Sequence, residues 1–437
     1  MSAFDAQPTR PGGTPAVEPT RAGRVPRTGV RGPADRSTRR AVFRTAFDYI
    51  NAMYALTEDQ LAVQELVRRV AREQVAPRAD AIDRNAEYPQ DMFDLLRELG
   101  LFAVPLPAEH GGTGSLLAGC LAVEEFGRVC YNTGYLLVVQ WVAFGALHAA
   151  GNAEQKARFL PGLASGALRG AFSTTEAQSG SDVSGIKTRA TRVDGGYRLQ
   201  GSKIWCTNSD VADFVLVGAK CTGADGKDSI NLFIVEKGTP GFSVGRKEDK
   251  MGARGIPSCP LFFDDAFIPE ANRMGPEGGA GFKSVMEAFN TSRPIVAARA
   301  VGLAQGAIDH ATAFVQSRKA FGRRIADFQG LRWMLADMAM QTEAARQLTY
   351  KAASMVDDGI TGPELGTMAA MAKCFASDVA MKVATDAVQL FGAAGVSNEY
   401  PINRYFRDAK VVQIIEGTNQ IQRNIIANTL LGREQKH

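Results

Sequence analysis

"GGYRLQGSKIWCT" (Gly195–Thr207) interrupts a chain that otherwise reads as helix. It is bounded by glycine and rich in aromatic and β-branched residues, which favours a strand over a helix. Three similar runs follow at intervals of roughly ten to twenty residues: "DFVLVGAK" from Asp213, "SINLFIVEKG" from Ser229 and "CPLFFDDAFIP" from Cys259. Together they predict a middle β-domain of antiparallel strands over residues 170–281.

On both sides of it the period changes to that of a helix. Structure begins at "LTEDQLAVQELVRRVAREQVAP", where Thr57 and Gln60 have capping-box spacing, Leu61, Leu66, Val67 and Val70 trace one face, and Pro77 is expected to end the run. Helical patterning predicts an N-terminal α-helical domain over residues 56–169. After "GPEGGAGF" the predicted helices are long, near 282–318, 327–357, 363–393 and 402–415, with a last one from about 418. Their length and short connections predict a four-helix bundle over 282–437. The fold class is therefore α+β multidomain, ordered α, β, α.

The chain has 437 residues and a formal net charge of +4. Residues 1–44 carry nine Arg against Asp5, Glu18 and Asp35, so the remainder is close to neutral and offers no basic face for nucleic acid. Six prolines and five glycines in those 44 residues, with no apolar periodicity, mark residues 1–55 as a disordered basic tail. "TRRAVFRTAF" (Thr38–Phe47) is similar to a twin-arginine signal, but no apolar stretch follows it. A cytoplasmic protein is expected in a bacterium, or a mitochondrial-matrix protein if the chain is eukaryotic.

Six cysteines and four histidines show no zinc-ligand spacing, so no metal is expected. "YLLVVQWVAFGALHAAG" from Tyr135 is broken by Gln140 and His148 and reads as a buried core helix too short for a membrane. "GPEGGAGFKS" (Gly275–Ser284) is similar to a P-loop, but Phe282 separates Gly281 from Lys283 and no βαβ unit surrounds it. No GxGxxG follows a strand, so a Rossmann site has no support.

"KVVQIIEGTNQIQ" (Lys410–Gln422) places one acid, Glu416, after the apolar residues Val411, Val412, Ile414 and Ile415 and before Gly417. Partial desolvation raises a carboxylate's pKa, which suits a base working on a weakly acidic carbon. Beside that reading stands a helix-terminal Glu facing solvent. Likewise Thr175–Asp182 alone is a polar turn, Trp205 a strand aromatic, and "FGAAG" a helix C-cap.

Taken in order, however, "TEAQSGSD", "GSKIWCTN", "KMGARGIPSCPLFFDDAFIPEANRMGPEGGAGF", "TSRPIVAARAVGLAQGAIDHA", "RKAFGRRIADFQ", "QLFGAAGVSNEYPINRYFRDAK" and "IIEGTNQIQ" resemble the acyl-CoA dehydrogenase family over about residues 56–432. The short- and medium-chain members are the most similar. The resemblance implies a homotetramer with FAD, oxidation of an acyl-CoA to its trans-2-enoyl form, and electron-transfer flavoprotein as acceptor. It implies that Glu416 removes the α-proton while the β-hydride goes to flavin N5. Some members carry the base where this chain has Ser292, which cannot serve.

By the same resemblance Ser173, Thr175, Ser181, Trp205 and Thr207 contact the flavin, and Thr418 and Gln420 complete that set. Arg318, Phe321, Gln329, Gln389 and Gly392 match positions that hold the FAD pyrophosphate and adenosine across a subunit interface. Ser181, Asn290 and Arg293 match positions touching CoA, and Gly417 leaves room for substrate. Asn290 stands where the family commonly has Asp, and Ile415 where many relatives have Tyr. Dicarboxylyl-CoA members place an Arg in the helix lining the acyl pocket; residues 131–150 here contain none, which argues against a glutaryl-type substrate.

Two other readings keep the fold and change the chemistry: a flavin oxidase or monooxygenase, and a dehydrogenase of a carrier-protein-bound acyl group. Glu416 argues against the oxygenases of this type, which generally lack it. A non-enzymatic scaffold is the third class, and flavin content separates it. Deleting residues 1–50 is expected to leave turnover intact, and a truncated protein that keeps its flavin but loses activity would contradict the reading of that segment as a tail.

Overall fold

The structure, a computed structural model, describes residues 56–223, 226–276 and 278–432. The expected tail, residues 1–55, lies outside the described residues.

Thr57 opens helix α1 (Glu58–Val70) with both halves of the capping box. Its hydroxyl accepts from the Gln60 N–H at 3.2 Å and its N–H donates to Gln60 Oε1 at 3.0 Å. Pro77 does not end the helical run as expected. The chain passes through a π turn (Ala71–Val75) and a 3₁₀ turn (Ala76–Arg78) into α2 (Ala79–Asn85). Pro77 sits at the start of the 3₁₀ turn, where a missing N–H breaks no helical bond.

Helices α3 (Gln90–Glu98), α4 (Leu116–Val129), α5 (Tyr131–Ala150) and α6 (Ala153–Ser165) follow. At 20 residues α5 is long and apolar enough to cross a membrane, contrary to the sequence expectation, yet most of it is buried inside the protein. Two of its polar groups are tied down there: Gln140 Nε2 donates to the Leu163 and Leu168 carbonyls at 3.0 and 2.5 Å, and Trp141 Nε1 to the Phe102 carbonyl at 2.8 Å.

Strands β1 (Gly170–Ser173), β2 (Arg189–Val193), β3 (Gly196–Thr207), β4 (Phe214–Thr222), β5 (Asp228–Glu236), β6 (Phe242–Val244), β7 (Ser258–Pro269) and β8 (Arg273–Met274) form one sheet. Its order is β6-β7-β3-β2-β4-β5-β8, with β1 beside β4. The expectation of an antiparallel sheet needs correction, because β1 and β2 run parallel to β4. A parallel pair requires a crossover, and the excursion through β2 and β3 between Ser173 and Phe214 supplies it for β1 and β4. Ala171, Tyr197, Leu199, Val217, Phe233 and Phe263 are among the apolar side chains buried in the sheet's core.

One irregularity in β3 matters for the site. Its register with β7 slips between Lys203 and Cys206. Trp205, inside the slip, takes φ 58° and leaves its side chain 53% exposed, whereas Lys203 and Cys206 are buried. A β-bulge re-aims a side chain in this way.

The last part is helical again: α7 (Ala280–Ser317), α8 (Gln329–Asp357), α9 (Gly362–Phe391), the short α10 (Ala393–Val396), α11 (Ile402–Val412) and α12 (Asn419–Leu431). A hairpin of β9 (Lys319–Ala320) and β10 (Arg323–Arg324) joins α7 to α8. The helix expected to run to residue 415 stops at Val412. Glu416 therefore lies in a turn and not at a helix end.

Helix α7, 38 residues and about 57 Å long, packs on α4 at backbone contact. A Cβ on Gly302 would stand 2.1 Å from the Glu124 carbonyl, and one on Gly306 2.0 Å from the Arg128 carbonyl. No side-chain rotation relieves a clash with backbone. Gly306→Ala is expected to destabilise the protein by about 1–3 kcal/mol, read as a lower Tm in thermal unfolding. An unchanged Tm would mean that the two helices do not approach this closely.

Candidate active site

The turn from Gln413 to Thr418 is built from residues that leave the helical region. Glu416 has φ 55° and Gly417 φ 85°. Glycine takes such values freely, but for a glutamate the left-handed region costs on the order of 1 kcal/mol, so surrounding bonds must hold it. Gln422, fully buried on α12, donates from Nε2 to the Glu416 and Gly417 carbonyls at 3.1 and 3.0 Å. Lys373, fully buried on α9, donates from Nζ to the Gly417 carbonyl at 2.9 Å and to Asn419 Oδ1 at 3.0 Å. A Cβ on Gly417 would meet Gln422 Nε2 at 2.7 Å, which makes glycine necessary there on two counts.

Held in this turn, the Glu416 carboxylate meets α7. Ser292 Oγ donates to Glu416 Oε2 at 3.0 Å, with the Phe289 carbonyl as an alternative acceptor at 3.1 Å. Burial pushes the Glu416 carboxyl above the usual range, while the Ser292 hydroxyl and the charges of Arg293, Lys373 and Arg299 pull it back part of the way. Burial likewise pulls Lys373 down to about 8, against the support of the Glu416 charge. The Glu416 N–H makes no hydrogen bond among the described residues. Arg293 Nη1 donates to Asn290 Oδ1 at 2.7 Å, so Asn290 fixes the arginine.

A second group of expected residues gathers on the sheet. The Ile204 N–H donates to the Thr175 carbonyl at 3.0 Å, which stitches the loop after β1 to the bulge carrying Trp205, two residues before Thr207. Ser173, at the end of β1, is buried, and its Oγ has no hydrogen-bond partner among the described residues. Ser181 is exposed on the same loop. That loop hangs on Glu176, whose carboxylate accepts from Lys203 Nζ at 2.7 Å and from the Lys187 and Thr188 N–H groups at 2.6 and 2.9 Å. Burial opposes the charge, but these donors outweigh it and hold the Glu176 carboxyl at about 2. Tyr135 on α5 is buried beside the two groups, and burial raises its hydroxyl above the usual range, with the Glu416 charge adding to the rise.

Thr418 caps α12, its hydroxyl accepting from the Ile421 N–H at 3.4 Å. With Gln420 it lines a 430 Å³ pocket that also includes Asp378, Gln413, Ile414 and Arg423.

Arg318, Phe321, Gln329, Gln389 and Gly392 are not brought to Glu416. Ser317 lies twenty-five residues beyond Ser292, about 37 Å along α7. At that far end the hairpin presents Phe321, 93% exposed at φ 50°, and Gln329 opens α8. Phe314 of α7 stacks on Phe391 of α9 with centroids 4.1 Å apart, which places Gln389 and the C-cap Gly392 at the same end. The sequence reading missed Ser292 as a partner of Glu416, and it missed Lys373, Gln422, Glu176 and Lys203. The polar pair Asn419 and Gln422, three apart on one helical face, was the available signal.

A carboxylate that serves as a base must be ionised to take a proton, so if Glu416 has that role kcat/KM falls as pH drops through its raised pKa. Ser292→Ala removes a donor to the ionised form and should move that acid limb to higher pH by about one unit. A limb that stays in place would mean the hydroxyl bonds the Phe289 carbonyl instead.

Comparisons with known proteins now bear on this geometry. The models for the acyl-CoA dehydrogenase N-terminal, middle and C-terminal domains match residues 57–167, 171–266 and 279–431. An acyl-CoA dehydrogenase of Bacillus subtilis (strain 168) is 43% identical over 379 residues, which are 86% of this chain and 99% of that one. The solved butyryl-CoA dehydrogenase of Megasphaera elsdenii is similar with a TM-score of 0.82 at 39% identity, over 86% of this chain and 99% of its own. A chain from the structure of the electron transferring flavoprotein of Acidaminococcus fermentans has a TM-score of 0.82 at 41% identity, with the same coverage of 86% and 99%.

Proposed function

The chain belongs to the acyl-CoA dehydrogenase family, and from that premise we propose that Glu416 is its catalytic base. The protein is a flavoprotein oxidoreductase acting on acyl-CoA, and its cofactor is FAD. The residues fit that cofactor: Ser173 offers a buried hydroxyl without a partner, and Trp205 an aromatic face turned out of the sheet by the bulge. Ser173, Thr175, Ser181, Trp205 and Thr207 would hold the ring system and the adjoining CoA, with Thr418 and Gln420 from the other side. When bound, FAD supplies the hydride acceptor, at N5, for the β-hydrogen.

The observation that carries the assignment is the meeting of Glu416 with Ser292 in a partly buried place near three cations. Glu416 takes the α-proton as the carbon–hydrogen bond breaks, and its raised pKa makes it a stronger base than an exposed carboxylate. Negative charge then develops on the thioester oxygen. The unengaged Glu416 N–H is a donor for it, which is the logic of an oxyanion hole. Lys373 and Gln422 keep that N–H and the carboxylate in one rigid turn. Arg293, held by Asn290, faces the CoA portion, and Gly417 leaves the approach open.

The far cluster of Arg318, Phe321, Gln329, Gln389 and Gly392 cannot reach the same flavin ring from about 37 Å away. We assign it to the pyrophosphate and adenosine of a neighbouring subunit's FAD, in a homotetramer. Exposed Phe321, Trp333 and Met340 support an interface there. Electrons would pass to electron-transfer flavoprotein, and a cytoplasmic setting accords with the bacterial relative.

Glu416→Gln is expected to retain FAD and bind acyl-CoA, yet to reduce its flavin at least about 10³-fold more slowly. Anaerobic titration with acyl-CoAs, following the oxidised flavin band, checks it. Near-normal bleaching by the variant would move the base elsewhere.

A further inference from the structure

Arg299 is the largest of the fully buried side chains, with 0% exposure. It stands on α7 seven residues beyond Ser292, so both leave the same face of the helix, about 10 Å apart along it. Two glycines make its slot: Cβ atoms on Gly127 of α4 and Gly134 of α5 would lie 3.4 and 3.6 Å from its Cγ and Cδ. The guanidinium packs over the rings of Tyr131 and Tyr135, 4.2 and 3.8 Å from their centroids.

No carboxylate meets this guanidinium at contact distance among the described residues. Nε, Nη1 and Nη2 have no hydrogen-bond partner among the described residues, and neither has the adjacent Tyr131 Oη. Two cation–π contacts offset part of the desolvation, but five N–H donors remain unused. A buried cation without a partner is costly unless an anion completes it. Ser292, two turns earlier on the same face of α7, bonds Glu416 at 3.0 Å, and the Arg299 charge acts on that carboxylate, so the guanidinium lies on the helix face that meets Glu416.

We propose that Arg299, together with Tyr131 Oη, binds the distal carboxylate of a dicarboxylic acyl thioester whose α-carbon lies at Glu416. The inference rests on the dehydrogenase reading above and specifies its substrate class. No arginine occurs in residues 131–150, the helix where one was sought in the sequence. The fold brings one from α7 to the tyrosines of that same helix. A planar guanidinium suits a carboxylate because two parallel N–H donors can meet its two oxygens.

The test compares adipyl-CoA with hexanoyl-CoA, which differ only in the terminal carboxylate, and glutaryl-CoA with pentanoyl-CoA. The flavin-loaded wild-type protein is expected to favour at least one dicarboxylic member of these pairs in kcat/KM. Arg299→Gln should lower that ratio by about 10–100-fold, and Arg299→Lys should recover part of it. The monomethyl ester of adipyl-CoA, tested on wild type alone, should lose the preference, so the result does not hang on the folding of a variant. Wild-type flavin that straight-chain acyl-CoAs bleach at least as well as their dicarboxylic partners would overturn the proposal and leave the dehydrogenase reading standing. A ratio unmoved in Arg299→Gln would overturn it too. If no acyl-CoA reduces the bound flavin, the dehydrogenase reading fails and this proposal falls with it.

Discussion

A buried ammonium holds the site together. Lys373 has no exposed surface, and it spends its hydrogen bonds on the Gly417 carbonyl and the Asn419 side-chain oxygen. Those two bonds tie the turn carrying Glu416 to α9, a helix 30 residues long whose position is set by packing. Asn419 extends the clasp, donating to Asp378 Oδ1 at 2.7 Å and to Ser377 Oγ at 2.8 Å. Gln413 donates to the same Asp378 oxygen at 2.7 Å from the other end of the turn. A glutamate in the left-handed region persists only where its surroundings over-determine it, and here bonds from α9 and α12 converge on the turn.

Helix α7 performs a different task, setting distances along a rigid axis. Its glycines at 302 and 306 let it lie against the α4 backbone, and its Ser292 meets Glu416. Arg128 and Asp309 close the same seam with a 2.5 Å contact from Nε to Oδ2. Since the rise per residue is fixed, every side chain on α7 has a fixed distance from the base. Two turns along stands Arg299, and about 37 Å along begins the hairpin with Arg318 and Phe321. Phe321, at φ 50°, is 93% exposed at that far end.

Much of this was legible in the sequence, because periodicity and punctuation are local. The capping box at Thr57, the strands from Gly196 to Pro269 and the long helices after residue 280 all follow from residue type and spacing. Glu416 was legible for another reason: an acid after aliphatics needs an explanation. What escaped was whatever depends on chain crossing. The parallel pairing of β1 with β4 needs contacts more than forty residues apart, and the turn after α11 is held by Lys373 and Gln422 from other helices. Pro77 misled because a proline permits a helical path where it falls at the start of a turn. Ser292 was set aside as unable to act as a base, whereas in the structure it donates to the Glu416 carboxylate.

The balance of charges around Glu416 explains why so many cations can stand near a base without disabling it. Arg293, Lys373 and Arg299 all favour its ionised form, as does the Ser292 hydroxyl, and alone they would leave it a weak base. Burial outweighs them and sets the net direction upward. The same burial works on the cations, for Arg293 is lowered and Lys373 comes down to about 8, with the Glu416 charge opposing both shifts. Base and cations thus support one another's charged forms in a place that disfavours all of them. When Glu416 takes a proton it loses its charge, and at that moment the nearby positive groups lose an anion. In the proposed reaction, negative charge developing on the substrate would replace it at the same site, so the cations that restrain Glu416 before proton transfer would stabilise what transfer creates.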